Sequence, residues 1–309
     1  MSSAEKIAAI FPGQGAQSVG MLSELAANHA SIKLRFAEAS DAVGFDLWAM
    51  TEQGPSEVLG QTENTQPALL TASVALWDLW PGAHEKVAMM AGHSLGEYSA
   101  LVCAGAMSFA DGVALVRKRG ELMQAAVPNG QGTMAAVLGL DDEAIAQCCD
   151  QVAGEVSAAN YNAPGQVVIA GETDAVHAAI DACKAAGAKR AVPLDVSGPF
   201  HSRLMERAAN DFSEALSAIE LTLPEIPVYQ NVHGQVADSV DEMRRLLVEQ
   251  LYSPVRWTTC VSALLGAGVA QFVECGPGNV LAGLVKRISR GTPTVGLSTA
   301  DGIEAAQAL

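Results

Sequence analysis

A serine between two glycines, in the run Gly92-His93-Ser94-Leu95-Gly96, has the spacing of a G-x-S-x-G nucleophile motif. An apolar run at 87–91 precedes it and a helix-like run at 97–102 follows it, so the serine falls on a predicted strand-to-helix turn. The glycines suit such a sharp turn, because a Cβ atom there would clash with neighbouring backbone. Backbone N–H groups at the helix N-terminus could stabilise a developing oxyanion. The pattern therefore predicts that Ser94 is a nucleophile rather than an ordinary helix N-cap.

A serine nucleophile needs a general base, because a hydroxyl group is a weak nucleophile at its ordinary pKa. In proteins with this type of turn the histidine follows the serine along the chain. Three histidines do so here, namely His177, His201 and His233. His177 falls in the middle of a predicted helix, and His233 lies beside a glycine in a predicted turn. His201 follows Ser197-Gly198-Pro199-Phe200, in a loop that could aim it at the strand ends, so it is the expected base.

The glycine-containing turn Phe11-Pro12-Gly13-Gln14-Gly15 follows the first apolar run. Its N–H groups could supply one arm of an oxyanion hole, and a plain tight turn is the alternative. A nucleotide loop is excluded, because Ser18 stands where G-x-G-x-x-G needs its third glycine and no P-loop lysine follows. His93 and Glu97 are spaced four residues apart, but no third ligand accompanies them, so we expect no metal site.

The composition is that of an acidic globular protein. The chain has 309 residues, 50% of them hydrophobic and 17% charged, with a formal net charge of −16. This charge disfavours binding to nucleic acid or to an anionic membrane. No apolar stretch is long enough to span a bilayer, and the N-terminus shows no signal peptide pattern. The six cysteines form no C-x-x-C pair, so we expect reduced thiols and a cytoplasmic location. We also expect a monomer.

Strand-like and helix-like segments alternate along the chain, which predicts an α/β fold with a largely parallel sheet. Within residues 128–197 the order becomes strand, helix, strand, strand, helix, strand, which is the order of a ferredoxin-like unit. We therefore predict an α/β-hydrolase-like catalytic domain, formed by residues 1–127 and 198–309, with a ferredoxin-like subdomain inserted at 128–197. The strands of that subdomain are expected at 133–138, 155–160, 166–170 and 190–196, and its helices at 141–152 and 173–186. In the larger domain we expect helices at 66–79, 108–127, 202–219, 240–251 and 258–267, and strands at 7–11, 227–231 and 270–275.

Six motifs occur together and in order, and they span essentially the whole chain. They are Phe11-Pro12-Gly13-Gln14-Gly15, Gly92-His93-Ser94-Leu95-Gly96-Glu97-Tyr98, Arg119-Gly120, Asn160-Tyr161-Asn162-Ala163-Pro164-Gly165-Gln166, Gly198-Pro199-Phe200-His201-Ser202 and Glu274-Cys275-Gly276-Pro277-Gly278. With these motifs the chain resembles the malonyl-CoA:acyl carrier protein transacylase family, the acyltransferases of type II fatty acid synthesis. Acyltransferase domains of polyketide synthases share much of the pattern.

The resemblance implies roles for the catalytic residues. Ser94 would be the acylated nucleophile and His201 its base, and the backbone N–H groups of Gln14 and Leu95 would form the oxyanion hole. The family replaces an acidic third triad member with a carbonyl oxygen that accepts from the histidine, and Gln250 matches that position.

The resemblance also implies residues that bind the substrate. Arg119 would grip the free carboxylate of the malonyl group, whereas from the helix pattern alone Arg117, Lys118 and Arg119 are equally good surface cations. A planar guanidinium suits this task, because it can bind a carboxylate through two parallel hydrogen bonds. His93 and Asn162 are assigned to the same substrate-binding set.

Phe200, immediately before His201, resembles the residue of the malonyl-selecting acyltransferases, whereas relatives that take branched substrates carry a smaller residue there. A phenyl ring at this position would act as a steric filter against an α-methyl group. Simple packing between the two domains is the alternative.

The implied partner, acyl carrier protein, is acidic, and so is this chain. Docking would therefore need a local basic patch. The candidates are Lys189 and Arg190 in the subdomain and Lys286 and Arg287 near the C-terminal helix, with ordinary solvated charge as the alternative.

The implied function is transfer of the malonyl group from malonyl-CoA to the phosphopantetheine thiol of acyl carrier protein, through a malonyl-serine, in fatty acid biosynthesis. No cofactor is expected, since CoA is part of the substrate and phosphopantetheine is carried by the partner. Two alternatives stay open at this point. A serine esterase or thioesterase would not need Arg119, and a non-catalytic carrier-binding scaffold would be expected to have lost the serine or the histidine.

Overall fold

The computed structural model describes residues 6–128 and 130–309. Two predictions therefore fall partly outside the described residues: the N-terminal segment that precedes Lys6, and Asn129 in the turn that opens the predicted subdomain. Within the described parts, no helix is both long enough and apolar enough to cross a membrane.

The described residues contain two β-sheets. The strands are β1 Lys6–Phe11, β2 Val87–Gly92, β3 Gly132–Leu138, β4 Val156–Ala163, β5 Gln166–Glu172, β6 Arg190–Pro193, β7 Val228–Tyr229, β8 Val269–Glu274 and β9 Thr294–Gly296. The first sheet has the order β7-β2-β1-β8-β9 and is parallel throughout. The second has the order β4-β5-β3-β6 and is antiparallel throughout. The predicted α/β fold class, with a parallel sheet and a ferredoxin-like unit, is confirmed.

Helices cover both sheets. They are α1 Ser23–Asn28, α2 Ala30–Val43, α3 Leu47–Gln53, α4 Ser56–Leu59, α5 Thr62–Asp78, α6 Ala83–Lys86, α7 Leu95–Cys103, α8 Phe109–Ala125, α9 Asp142–Asp150, α10 Thr173–Ala185, α11 Glu206–Ser217, α12 Val240–Glu249, α13 Trp257–Gly266, α14 Val280–Ile288 and α15 Ala300–Gln307. The strands of the antiparallel sheet and its helices α9 and α10 all lie between residues 132 and 193. The domain division at 127/128 and 197/198 stays a prediction.

After the exposed Lys6 at its start, the central strand β1 is apolar, because helices cover both faces of the parallel sheet. Ile7, Ala9 and Phe11 belong to the larger core on one side, and Ala8 and Ile10 belong to the core on the other side. This alternation follows from the two-residue period of a strand. The antiparallel sheet divides in the same way. One of its faces packs on α9 and α10, and the other contributes to the larger core that also covers one face of the parallel sheet.

The register brings the carboxyl ends of the central parallel strands to one edge. Phe11 pairs with Gly92 in β2, and Ile10 pairs with Glu274 in β8. Loops that follow these strands therefore converge, and in open α/β sheets ligands bind at such an edge. The loop after β1, the turn after β2 and the start of α14 after β8 all lie there.

Three predicted elements need correction. The strand expected over 227–231 is only the two-residue β7, Val228–Tyr229. The helix expected over 202–219 is a short 3-10 turn, Arg203–Met205, followed by α11. The turn forms because the backbone N–H of Met205 donates to the carbonyl of Ser202, three residues back. The strand expected over 190–196 ends at Pro193, because the chain turns away from β3 just beyond it: the N–H of Leu194 still donates to the carbonyl of Met134, but that of Val196 donates to the carbonyl of Leu194 in a tight turn.

Candidate active site

The predicted strand-to-helix turn is present between β2 and α7. Ser94 adopts φ 52° and ψ −110°, a conformation that residues other than glycine rarely take. A Cβ at Gly92 would overlap the backbone of Gly96, and a Cβ at Gly96 would overlap the carbonyl of Phe11. Both glycines are therefore required by close backbone approach, and the turn leaves the Ser94 side chain in the cavity at the sheet edge.

Ser94 and His201 form a hydrogen-bonded pair. Ser94 Oγ lies 2.7 Å from His201 Nε2, and His201 Nδ1 lies 2.7 Å from the backbone oxygen of Gln250. Because that carbonyl can only accept, it requires the proton on Nδ1 and leaves Nε2 free to accept the serine proton. Burial, and secondly the positive charge of Arg119, lowers the pKa of His201 to about 3, so the ring is neutral and able to act as a base.

The other two histidines lie elsewhere. His177 is exposed in the middle of α10, in the subdomain. His233 accepts a hydrogen bond from the backbone N–H of Gln235 in the turn that follows β7. Of the three candidates, the structure brings only His201 to Ser94.

Arg119 is a buried cation beside Ser94. It projects from α8, is 1% exposed, and donates through Nη2 to Ser94 Oγ at 3.2 Å and to Gln250 Oε1 at 2.9 Å. Nη1 donates to Gln66 Oε1 at 2.8 Å, and the guanidinium lies 5.2 Å from the ring centre of Tyr98. Within the described residues Arg119 forms no salt bridge, and its Nε has no hydrogen-bond partner. Burial lowers the pKa of this guanidinium.

Such a cation is electrostatically incomplete, because a buried charge is stabilised chiefly by a paired opposite charge. Three neutral oxygens and an aromatic ring hold Arg119 in place, and the carboxyl group of Glu97 interacts with its charge without forming a salt bridge to it. The site is thus suited to a ligand that carries an anionic group a few ångströms from the atom that Ser94 attacks.

A cavity of about 260 Å³ surrounds Ser94 and is lined by both parts of the chain. Gln14 and Leu95, the predicted oxyanion-hole residues, line it from the loop after β1 and from the start of α7. Phe200, the predicted steric filter, lines it too and is 7% exposed. Met134 and Val168 close it from the antiparallel sheet.

His93, which follows β2 of the parallel sheet, meets Asn162 in β4 of the antiparallel sheet. His93 Nε2 lies 2.7 Å from Asn162 Oδ1, and both residues line the cavity. The carboxylate of Glu97, in contrast, accepts from the backbone N–H of Asn231. No group of three or more metal-ligating side chains lies close enough to hold an ion within the parts of the chain that the structure describes.

Three further residues at the site were missed from the sequence. Gln66 positions Arg119, and Asn231 accepts from the backbone N–H of Ser94 at 2.7 Å. Glu97 is 1% exposed behind the turn, and burial raises its pKa to about 7. Gln66 and Asn231 had no local signal, since they reach the site through contacts that are distant in sequence. Glu97 alone could have been noticed in the sequence, because an acidic residue inside an apolar run indicates a buried carboxyl group with a specific partner.

A basic groove lies beside the cavity. Lys189, Lys286 and Arg287 line it together with Arg290, and all four are exposed. Arg190, which was predicted with them, is exposed at the start of β6 but does not line the groove. One helix, α14, borders both regions, because residues 280, 281 and 284 line the cavity and residues 283, 286 and 287 line the groove.

This geometry can perform acyl transfer. It contains a hydroxyl paired with a neutral imidazole, the two predicted oxyanion-hole residues Gln14 and Leu95 at the cavity wall, and a buried cation near the hydroxyl. The acidic member expected of a typical esterase triad is replaced by the Gln250 carbonyl.

Comparisons with known proteins agree with this chemistry. The family model described as "Acyl transferase domain" matches residues 9–302. "Malonyl CoA-acyl carrier protein transacylase" of Salmonella typhimurium is 55% identical over 286 residues, which cover 92% of this chain and 93% of that protein. The protein of the same name from Bacillus subtilis is 47% identical over 304 residues, covering 97% of this chain and 96% of that one.

Solved structures are similar over the same extent. An acyl carrier protein S-malonyltransferase from Vibrio cholerae has a TM-score of 0.94 at 51% identity and covers 97% of this chain and 99% of that chain. A malonyl-transacylase solved in complex with a type II polyketide synthase acyl-carrier protein has a TM-score of 0.95 at 50% identity, covering 98% and 99%.

Proposed function

The chain belongs to the acyl transferase domain family, and on that basis we propose that it transfers the malonyl group from malonyl-CoA to the phosphopantetheine thiol of acyl carrier protein. The reaction passes through a malonyl ester of Ser94 and serves fatty acid biosynthesis. The observation that carries this proposal is the buried Arg119, without a salt bridge in the described chain, whose Nη2 lies 3.2 Å from Ser94 Oγ.

In the first half-reaction, Ser94 Oγ attacks the thioester carbon of malonyl-CoA while His201 Nε2 takes the serine proton. The carbonyl oxygen becomes an oxyanion, which the N–H groups of Gln14 and Leu95 stabilise. When the C–S bond breaks, the proton on His201 passes to the departing sulfur, and free CoA leaves. Arg119 holds the malonyl carboxylate throughout, through charge-assisted hydrogen bonds.

The second half-reaction reverses these steps with a different thiol. The phosphopantetheine thiol of the carrier protein gives its proton to His201 and attacks the ester carbon. The C–O bond to Ser94 then breaks, and His201 returns the proton to Oγ. Kinetics of the ping-pong type follow, because CoA leaves before the carrier reacts.

Selectivity for malonyl over branched groups is assigned to Phe200. Its ring is packed at the cavity wall beside His201 and is nearly fully buried, so it has little freedom to move aside for an α-methyl group. His93 and Asn162 complete the substrate-binding set, since their paired side chains close the cavity between the two domains.

We also assign the enzyme to the cytoplasm. All six cysteines are buried free thiols, a state that fits a reducing compartment. The expected monomeric state, the lack of a cofactor and the lack of nucleic acid binding stay predictions.

Intact-mass measurement tests the proposed function. Mixed with malonyl-CoA, the wild-type protein should gain the mass of one malonyl group, which hydroxylamine should remove. Holo acyl carrier protein should then take up the group and return the enzyme to its original mass. Ser94→Ala should show no adduct, and an adduct that persists in this variant would exclude Ser94 as the nucleophile. Hydrolysis of the adduct without transfer to the carrier would favour the thioesterase alternative.

A further inference from the structure

The backbone of Ser94 needs external support. Its positive φ and its ψ of −110° lie outside the regions that side-chain-bearing residues prefer, and such a conformation persists only where the surroundings enforce it. Two peptide planes meet at this residue, one shared with His93 and one shared with Leu95. Each plane is held by a different buried side-chain amide.

Asn231 holds the plane before Ser94. Its Oδ1 accepts from the backbone N–H of Ser94 at 2.7 Å, and its Nδ2 donates to the carbonyl of Gly92 at 2.6 Å. The two hydrogen bonds lie on either side of His93. The side-chain amide of Asn231 therefore connects Gly92, the last residue of β2, to Ser94. Asn231 is completely buried.

Gln250 and the first turn of α7 together hold the plane after Ser94. The side-chain Nε2 of Gln250 donates to the carbonyl of Ser94 at 3.1 Å, and the same nitrogen lies 3.5 Å from Asn231 Oδ1. This contact is separate from the backbone carbonyl of Gln250, which accepts from His201. The two amides therefore form one connected unit around the nucleophile.

The consequence concerns the N–H of Leu95. In a trans peptide the C=O and N–H point in opposite directions. The Ser94 carbonyl accepts from the backbone N–H of Glu97 at 3.0 Å and from Gln250 Nε2 at 3.1 Å. The first turn of α7 and Gln250 therefore fix the direction of this carbonyl together, and with it the direction of the N–H of Leu95, a residue that lines the cavity. Asn231 meanwhile occupies the Ser94 N–H, so the next amide along the chain is the one left to face a substrate carbonyl.

Asn231 is itself held on both sides. Its backbone N–H donates to Glu97 Oε2 at 2.7 Å, and its backbone carbonyl accepts from the N–H of Arg256 at 3.0 Å. Glu97 lies in the first turn of α7, immediately after the nucleophile turn. The helix that follows Ser94 thus anchors the residue that restrains Ser94.

We infer that Asn231 and the side chain of Gln250 form an amide clamp, a pair of positioning residues that aims the Leu95 N–H at the oxyanion of the reaction. The clamp touches no substrate and acts through the backbone of Ser94. This inference rests on the proposed acyl transfer for its physiological meaning, but any ester that acylates Ser94 can test it.

The test is single-turnover acylation of Ser94 by two donors, malonyl-CoA and the neutral ester p-nitrophenyl acetate. We expect Asn231→Ala to lower the acylation rate constant by about tenfold or more with both donors, because an oxyanion forms in each case. The malonyl-CoA concentration for half-saturation should change little, since the oxyanion contact develops in the transition state.

Gln230→Ala is the matched control. Gln230 is 1% exposed in the same segment, and its side-chain amide donates to the carbonyl of Val228, away from the turn. This variant should acylate at the wild-type rate. Circular dichroism and thermal unfolding would establish that both variants are folded.

The possible outcomes separate the clamp from the proposed function. A folded Asn231→Ala that acylates normally with p-nitrophenyl acetate would overturn the clamp, and so would a loss confined to malonyl-CoA. A wild-type protein that is acetylated by the ester but not acylated by malonyl-CoA would refute the malonyl function and leave the clamp to be judged on the ester alone.

Gln250→Ala gives the same test if Asn231→Ala does not fold. It keeps the backbone carbonyl that accepts from His201, and p-nitrophenyl acetate has no carboxylate for Arg119 to bind. We expect slower acetylation of Ser94 in this variant. An unchanged rate with this ester would overturn the role of the Gln250 side chain.

Discussion

The cavity around Ser94 and the basic groove beside it share the helix α14, yet they are organised on opposite principles. In the cavity, the side chains around Ser94 are held by hydrogen bonds to defined neighbours, as His201 is to Ser94 and to Gln250. In the groove, Lys189, Lys286 and two arginines are exposed, and none of them forms a salt bridge within the described residues.

The difference indicates what each region can do. In the cavity, low solvent exposure strengthens every charge and hydrogen bond, so geometry and pKa decide reactivity. In the groove, water and salt screen the charges, so they act on encounter with a partner rather than on chemistry. Substitutions in the cavity should therefore have large effects that depend on the substrate, and substitutions in the groove should have small effects that depend on salt.

The largest expected effect comes from removing the base. His201→Ala should lower acylation by malonyl-CoA by roughly 10³-fold or more, because the serine proton then has no acceptor at 2.7 Å. Stopped-flow or rapid-quench measurement of the acyl-enzyme would give the rate, and circular dichroism would establish the fold. His177→Ala, an exposed histidine on α10, is the control and should retain activity. The reverse ranking would exclude His201 as the base.

The dyad was predictable because its signals are local. The glycines on either side of Ser94 are explained by backbone contacts inside the turn and with β1, and the strand-to-helix order was readable from the residues around it. His201 was singled out because its loop returns the chain to the large domain. The helices and strands of the subdomain were also predictable from local patterns. For example, α10 spans Thr173–Ala185, and the prediction was 173–186.

Other features depend on contacts between distant parts of the chain. Arg119 could not be separated from Arg117 and Lys118 by pattern, because only the tertiary fold decides which face of α8 is buried. Asn231 reaches Ser94 across 137 positions of the sequence. The edge strand β9 has three residues, too few to show a period, and it was not predicted. Neither was α2, which spans Ala30–Val43.

The second effect in size should come from the buried cation. Arg119→Ala removes the partner of the malonyl carboxylate, a charge-assisted pair worth about 2–5 kcal/mol when buried. Transfer from malonyl-CoA should therefore fall far more than transfer from acetyl-CoA, which carries no carboxylate. Comparison of kcat/KM for the two donors measures the difference.

The matched control for Arg119 lies next to it on α8. The side chain of Lys118 is 50% exposed and lies 4.0 Å from Glu121, so Lys118→Ala should change neither donor. Equal losses for malonyl-CoA and acetyl-CoA in Arg119→Ala would assign Arg119 to structure or to CoA binding instead.

The pH dependence of acylation should separate the cavity from ordinary surface chemistry. Burial and the Arg119 charge lower the pKa of His201 to about 3, so the ring stays neutral far below the ordinary histidine value of about 6.5. With p-nitrophenyl acetate, which does not titrate, protonation of His201 should therefore not lower the acylation rate constant between pH 8 and about pH 5. Glu97, whose pKa burial raises to about 7, also titrates in this range, so the measurement is repeated with Glu97→Gln. A loss of rate centred near pH 6.5 that persists in Glu97→Gln would contradict this environment of His201.

Arg119→Ala sharpens the same measurement. Removing the neighbouring positive charge makes protonation of His201 easier, so the pKa of His201 should rise and the acid limb of the rate profile should move to higher pH. Lys118→Ala should leave the limb in place. If the acid limb of the rate profile does not move in Arg119→Ala, the Arg119 charge does not contribute to the lowered pKa of His201.

The smallest effects are expected in the groove, and they should fall on the carrier protein alone. Acyl carrier protein is acidic and this chain carries a net charge of −16, so the two can approach only where a local positive surface outweighs the repulsion. Lys286→Glu and Arg287→Glu should therefore raise the KM for carrier protein, while acylation of Ser94 by malonyl-CoA keeps its wild-type rate. Added salt should reduce the difference between these variants and the wild type, because exposed charges are screened within about 10 Å at 0.1 M ionic strength.

Lys184→Glu, on α10 and outside the groove, makes the same change in net charge and should have little effect on either half-reaction. If Lys184→Glu raises the KM as much as the groove variants do, the carrier responds to total charge and not to this surface. If no variant changes the KM at low salt, the carrier docks elsewhere.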